Sequence, residues 1–338
     1  MIEVDGSYGE GGGQVIRTAV SLAAVLGKEV KVSNIRAGRP TPGMMAQHVT
    51  SVEAVAHLSD AQVDGLHIGS KEIVFHPGKL VGGEFELDVG TAGSIPLVIQ
   101  TCMLPAALSK GSASLVVRGG TDVKWSPPVD YLTMVHAPLA GKFGVHCEVD
   151  VVRRGFYPEG GGEVRAEIPR VGGLTGVKVT SQGGLMGING IAFSQNLPDH
   201  VTERLRHSVL KRLADLGNVR TTVDIRRGSS TGAGIVLAAS CSNTVIGAAA
   251  LGQKGVPAER VGENCAADLA ETLASGVTAD EHALDQMLTY MALAGSPSSF
   301  LVEDVTPHAE TNMWVIERFL GRRFSRRQVG KLVEVATV

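Results

Sequence analysis

The chain has 338 residues, of which 43% are hydrophobic, 19% charged and 4% aromatic, with 43 glycines and a formal net charge of −3. Such values describe a globular protein with enough chain for one large domain or two smaller ones. They exclude a low-complexity chain and an indiscriminately basic nucleic-acid binder, while leaving room for a local basic site. Cys102, Cys147, Cys241 and Cys265 lie far apart with no Cys-x-x-Cys pair, so neither a structural zinc nor a disulfide framework is expected. No apolar run approaches membrane-spanning length and Met1 leads directly into a strand, so the expectation is a soluble cytoplasmic protein that does not engage a membrane.

In chain order, a strand at 2–4 meets a glycine-rich turn, Asp5-Gly6-Ser7-Tyr8-Gly9-Glu10-Gly11-Gly12-Gly13, and then a helix at 14–26. A strand (29–35), a loop carrying Arg36, Arg39 and Pro42, a helix (44–58) and two strands (61–66, 72–75) follow. Residues 84–169 repeat that order: strand 84–89, turn 90–94, helix 95–108, strand 113–118, a loop with Asp122, Lys124 and Pro127, helix 129–143, and strands 146–152 and 163–168. A third copy reads as interrupted. Strands at 177–180 and 185–193 open it, and a helix (280–293), a strand (299–302), a loop (303–309), a helix (310–320) and a strand (331–335) complete it. Between them lie a helix (199–216), strands (219–225, 235–239) and another helix (257–275). The fold class is therefore α/β (α+β): three β-α-β-α-β-β units in a main domain of residues 1–184 and 277–338, with a small α/β domain, 185–276, inserted in the third. If the units pack side by side, their equivalent loops would gather at one edge.

Glu10, Gln14 and Arg17 can share one side of the first helix start, offering a carboxylate, an amide and a guanidinium near backbone N–H groups suited to an anion. Arg36, Arg39 and Gln47 flank the turn at 40–43, and arginine suits bidentate phosphate contact. His308 stands in Val305-Thr306-Pro307-His308-Ala309-Glu310-Thr311-Asn312, where proline leads to a helix start and Thr311 or Asn312 is a candidate cap. A neutral imidazole there is a competent nucleophile toward phosphorus. The insert's Arg204, Arg206, Lys211, Arg212, Arg220, Arg226 and Arg227 read as a solvated basic face. Arg154-Gly155-Phe156-Tyr157-Pro158-Glu159-Gly160-Gly161-Gly162 reads as a hairpin-like connection whose three consecutive glycines imply close backbone approach. No Gly-x-x-x-x-Gly-Lys-Ser/Thr occurs, which excludes a Walker-type loop, and the opening turn does not meet Gly-x-Gly-x-x-Gly.

These motifs, in order and over essentially the whole chain, resemble the RNA 3′-terminal phosphate cyclase family. The matching segments are Asp5-Gly6 with Gly9 to Gln14, Ile35 to Arg39, Pro42-Gly43 with Gln47-His48, Gly119 to Asp122, Arg154 to Gly162, Met291 to Gly295, and His308 with Thr311-Asn312. The resemblance implies an ATP-dependent conversion of an RNA 3′-phosphate into a 2′,3′-cyclic phosphate through a histidine–AMP adduct. It assigns His308 as the nucleophile and Glu10 to a divalent metal, Mg²⁺ or Mn²⁺. Gln14, Arg17, Arg36, Arg39 and Gln47 would meet phosphates of ATP or RNA. Gln100, Pro127, His282, Asp285 and Gln286 would contact the nucleotide. The implied partners are ATP and RNA with a 3′-phosphate end, and a homodimer is one of the oligomeric states left open. Two other readings are a non-catalytic relative in ribosome biogenesis, which would lack the histidine, and an enolpyruvyl-transferase-like enzyme, which would use other phosphate motifs.

Overall fold

A computed structural model describes residues 1–321 and 323–338. Strand β1 (Ile2–Asp5) and strand β2 (Val30–Ser33) are parallel and joined by helix α1 (Gly13–Leu26). After α2 (Ala46–Leu58), strands β3 (Gln62–Asp64) and β4 (Ile73–His76) complete a sheet ordered β1-β2-β4-β3. Val4, Val30, Val32, Ile73 and Phe75 alternate onto its buried face, as the two-residue period of a half-buried sheet requires.

The next stretch builds a sheet of the same kind. It contains β5 (Gly83–Asp88), α3 (Ile95–Ala107), β6 (Ala113–Gly119), β7 (Glu148–Arg153) and β8 (Gly162–Ile168), ordered β5-β6-β8-β7. Helix α3 is apolar on nearly every side and buried to match, with Ser94 Oγ capping it by accepting from Leu97 N. Where one helix was expected over 129–143, the chain forms α4 (Val129–Tyr131), a π-turn (Leu132–His136) and α5 (Ala137–Lys142).

Beyond β9 (Lys178–Val179) come β10 (Leu185–Gln195), α6 (Asp199–Arg212), β11 (Val219–Arg226), β12 (Gly232–Cys241), β13 (Val245–Leu251) and α7 (Ala258–Ser275). Their sheet is ordered β11-β10-β12-β13, and α6 and α7 pack with it around Ile188, Leu205, Val209, Ile235, Leu237 and Leu269. Finally α8 (Glu281–Leu293), β14 (Ser299–Val302), α9 (Pro307–Leu320), β15 (Phe324–Val329) and β16 (Leu332–Thr337) give a sheet ordered β15-β16-β14-β9. The other three sheets share one large apolar core, in which α1 packs on α2, α3 and α9.

The class is mixed α/β, as expected, but besides the broken helix at 129–143 further element readings change: the strand expected at 185–193 to open the third copy is β10, which pairs with β11 and β12 and not in the sheet of β9 and β14. Strand β13 is rich in alanine, which carries little strand signal, and it is held by its antiparallel ladder with β12. Strand β15, Phe-Ser-Arg-Arg-Gln-Val, lacks apolar alternation and exists through pairing with β16. Helix α9 begins at Pro307 rather than at 310, so His308 lies in its first turn and not in a preceding loop.

Candidate active site

The opening turn folds down onto the start of α9. Tyr8 stacks on Trp314 with ring centroids 4.0 Å apart and planes 11° from parallel, and Glu10 N donates to Thr311 Oγ1 at 3.3 Å. Gly9 is left-handed (φ +58°), and a Cβ there would collide with the Thr311 hydroxyl, so only glycine allows the turn to lie this close.

Helix α9 is anchored from the other side. Its cap is Thr306, not Thr311 or Asn312. Thr306 Oγ1 accepts from Ala309 N at 2.9 Å and donates to Asp285 Oδ1 at 2.8 Å. Asn312 is buried, donating to the Asp285 carbonyl at 2.7 Å and accepting from Thr18 Oγ1 at 2.7 Å. Burial pushes the Asp285 carboxyl up to about 7, against the lowering effect of the Thr306 hydroxyl. With α9 fixed at both faces, His308 holds a half-exposed ring whose Nε2 lies 3.0 Å from Glu10 Oε2, and Arg39 Nη2 lies 3.4 Å from the same oxygen. Residues 10, 39 and 308 thus meet at one carboxylate.

A second polar cluster lies deeper. A cavity of about 40 Å³ is lined by Gln14, Arg17, Gln100, Gln286, His136 and Tyr290, among others. Arg17 Nη2 donates to Gln14 Oε1 at 3.2 Å, and among the described residues no carboxylate pairs with it. Desolvation pushes its pKa down to about 10. The Gln100 amide is buried there and, among the described residues, makes no hydrogen bond with protein atoms. An unneutralised guanidinium beside uncommitted amides is a setting for an anion. Beneath it, His48 Nδ1 accepts from Met45 N at 3.0 Å; burial, then Arg17 and Arg36, push its pKa down to about 3, so it is neutral.

The expected site residues therefore separate by position. Glu10 precedes the helix and engages α9, while Gln14 and Arg17 bond to one another on α1, and among the described residues no hydrogen bond or ion pair joins Glu10 to either. Arg36 spends Nη1 on the carbonyls of Thr41 at 2.6 Å and Gly43 at 2.8 Å, bracing its own loop. Gln47 Oε1 accepts from Ser94 N at 2.9 Å and ties α2 to the turn at 90–94. His282 is exposed beside Glu281, and Pro127 lies in the loop before α4. The edge that should gather equivalent loops receives Arg39 and His308 but not Asp122, which turns inward.

There Asp122 joins a buried network that the sequence did not announce. Arg154, 1% exposed, donates Nη1 to Asp122 at 3.1 Å and to Asp130 at 2.8 Å, and Nε to Asp224 of β11 at 2.9 Å; its guanidinium lies 4.0 Å above the Phe193 ring. Burial opposes its charge, but the three carboxylates outweigh that and raise its pKa above the ordinary arginine value. Burial pushes Asp122 up to about 6 despite Arg154. Arg226 is not a solvated cation either, since Nη1 donates to the Val151 and Val152 carbonyls of β7. The triple glycine behaves as expected: a Cβ on Gly160 would meet the backbone of Thr91 and Ala92, and one on Gly162 would meet Gly155 and Thr121.

Among the described residues no group of three or more His, Cys, Asp or Glu side chains could enclose a metal, and no helix is long and apolar enough to cross a membrane. The family model for RNA 3′-terminal phosphate cyclase matches residues 8–326. The chain is 46% identical over 346 aligned positions to the Methanopyrus kandleri protein of that name, covering 100% of this chain and 98% of the relative. It is 44% identical to the Archaeoglobus fulgidus protein over 95% of this chain and 96% of the relative, and 42% identical to the Nitrosospira multiformis protein over 99% and 96%. With the meeting of Glu10, Arg39 and His308 inside the matched region, the chain belongs to the RNA 3′-terminal phosphate cyclase family.

Proposed function

We propose that the protein uses ATP to convert an RNA 3′-terminal phosphate into a 2′,3′-cyclic phosphate, through a covalent His308–AMP adduct and an RNA(3′)pp(5′)A intermediate. The observation that carries this reading is the convergence of His308, Glu10 and Arg39, which are far apart in sequence, on one half-open site. A ring nitrogen of His308 attacks the α-phosphorus of ATP; a P–N bond forms and the bond to pyrophosphate breaks. An oxygen of the RNA 3′-phosphate then attacks the AMP phosphorus, breaking the P–N bond and making a diphosphate linkage. The adjacent 2′-oxygen, losing its proton, attacks the 3′-phosphorus and expels AMP. A phosphate monoester is a poor electrophile until it carries such a leaving group, so the protein contributes positioning and charge neutralisation.

The residues divide that work. Glu10 Oε2, 3.0 Å from His308 Nε2, puts the metal-holding carboxylate next to the nucleophilic ring, while the α9 N-terminus and Arg39 favour phosphate beside it. The cavity with Arg17, Gln14, Gln100 and Gln286 suits further nucleotide or phosphate contacts, with Pro127, His282 and Asp285 in the nucleotide role that the family resemblance gives them. Arg36 and Gln47 act through the loops they brace. Glu10 is the carboxylate that would hold a Mg²⁺ or Mn²⁺ ion, a hard cation matched to oxygen donors, and the ion would supply charge neutralisation. At the level of architecture, we read the like-ordered sheets as copies of one unit. Residues 1–184 and 277–338 then form the main domain, and 185–276 the insert.

The reading is tested by incubating the protein with labelled ATP and a divalent metal. An acid-labile protein–AMP adduct should form, vanish in His308→Ala and survive replacement of His146. With RNA ending in 3′-phosphate, the end should become phosphatase-resistant. Undiminished adduct in His308→Ala would overturn the mechanism.

A further inference from the structure

Aromatic side chains are scarce in this chain, which makes two of them conspicuous. Trp125 is 97% exposed and Tyr157 is 76% exposed, whereas the exposed Tyr8 is already stacked on Trp314. A solvated tryptophan forfeits the burial that normally repays its size. Trp125 also holds a left-handed backbone (φ +61°), a conformation that a bulky side chain adopts at a cost. Neither feature serves the core.

The two rings are carried by loops that are hydrogen-bonded together. Thr121 N donates to the Gly155 carbonyl at 2.8 Å, Gly155 N donates to Thr121 Oγ1 at 2.9 Å, and Asp122 bridges to Phe156. Arg154, clamped by Asp122 and Asp130, locks the bases of both loops from beneath. A chain of contacts links these loops to the candidate active site. Gly160 lies against the backbone of Thr91 and Ala92, and the next residues of that turn contact Gln47, whose helix follows the loop bearing Arg39. Exposed cations lie on the same or neighbouring segments: Lys124 precedes Trp125 in the chain, and Arg227 is on the segment whose Ser229 packs on Gly161; Glu159 lies on the same tip as Tyr157.

We propose that Trp125 and Tyr157 form a stacking platform for nucleobases of the RNA strand upstream of its 3′ end. The inference rests on the RNA-end reading of the site. Flat, rigid, solvated rings held on braced loops, with cations for a passing phosphodiester chain, are the chemistry of sequence-tolerant single-strand recognition. The adenine of ATP has the same stacking chemistry, and Pro127 is two residues away, so the test must separate the two sources.

Trp314→Phe leaves Trp125 as the single tryptophan of the two in the chain. Its fluorescence should be quenched by a short single-stranded RNA, whether the end is 3′-phosphate or 3′-hydroxyl, and should recover when one upstream base is made abasic. ATP alone should leave it unchanged. Glycine accepts the left-handed conformation at 125, so Trp125→Gly deletes the ring without straining the loop. Trp125→Gly and Tyr157→Ala should each weaken RNA binding by about fivefold to a hundredfold, with Trp125→Phe restoring part of it. Quenching by ATP alone, or unchanged RNA affinity in both folded deletion variants, would overturn the platform. Should RNA ends cyclise with unchanged KM in those variants, the platform falls and the reaction stands. RNA quenching without any cyclised end leaves the platform and removes the reaction.

Discussion

Replacing Arg154 by methionine should destabilise the protein strongly, and more at alkaline than at acid pH. The guanidinium is the shared partner of Asp122, Asp130 and Asp224, whose side chains are 0%, 10% and 19% exposed. Methionine roughly preserves volume over the Phe193 ring but leaves three poorly hydrated carboxylates facing one another. Removing one partner of a buried ion pair costs about 3–5 kcal/mol, because the surviving charge keeps its desolvation cost without its attraction. An unfolding entropy of about 2.1 cal/mol/K per residue gives about 0.7 kcal/mol/K for 338 residues melting together, so Tm should fall by about 4–7 °C.

The sign of the pH effect follows from Asp122. Its folded pKa already stands near 6, above that of an unfolded aspartate, so the folded state holds the proton more tightly and loses stability as pH rises through that window. Without Arg154 the shift grows, so the loss should be larger near about pH 8 than near about pH 5.5, where carboxylates can protonate. Differential scanning calorimetry of both proteins at both pH values measures this. Arg154→Lys should recover only part of the loss, since an ammonium cannot present the guanidinium's fork to three acceptors. A methionine variant that melts with the parent near pH 8, or a loss independent of pH, would refute the reasoning.

Asp285→Asn should flatten a different segment of the stability curve. The raised carboxyl makes the parent lose stability as pH rises from about 4 to 7, at up to about 1.4 kcal/mol per pH unit, and an amide that still accepts from Thr306 removes that slope in pH-dependent melting. Gly9→Ala should cost at least about 1–2 kcal/mol by forcing a left-handed alanine against Thr311, and should expose the stacked Tyr8 to faster proteolysis around the opening turn. Glu10→Ala should lower protein–AMP formation mainly by raising the metal concentration required; adduct formation at parental rates in low metal would remove Glu10 from that role.

Much of this chain is legible because its strands alternate and its helices carry 3.6-residue periodicity next to glycine and proline punctuation. The turn at 5–13, helix α3 and the strand–helix order of the first two sheets follow from local pattern alone. The residue types were legible too: a histidine after Thr-Pro at a helix start, arginines around a tight turn, and three glycines where backbones cross. By contrast, β13 and β15 carry almost no local signal and exist because β12 and β16 offer unpaired hydrogen-bonding edges.

What only the tertiary structure decided is which charges meet. Glu10 and His308 lie at opposite ends of the chain, and α9 packing on α1 brings them to 3.0 Å. Asp122 and Arg39 occupy comparable loops, yet Arg39 turns to the open site and Asp122 goes under Arg154. A charged side chain's direction depends on whether a counter-charge waits inside, and that partner comes from another strand, here Asp224 of β11. Composition and period determine where the chain can bury apolar surface; the pairing of its ionic groups is settled only once distant segments share the same low-dielectric space.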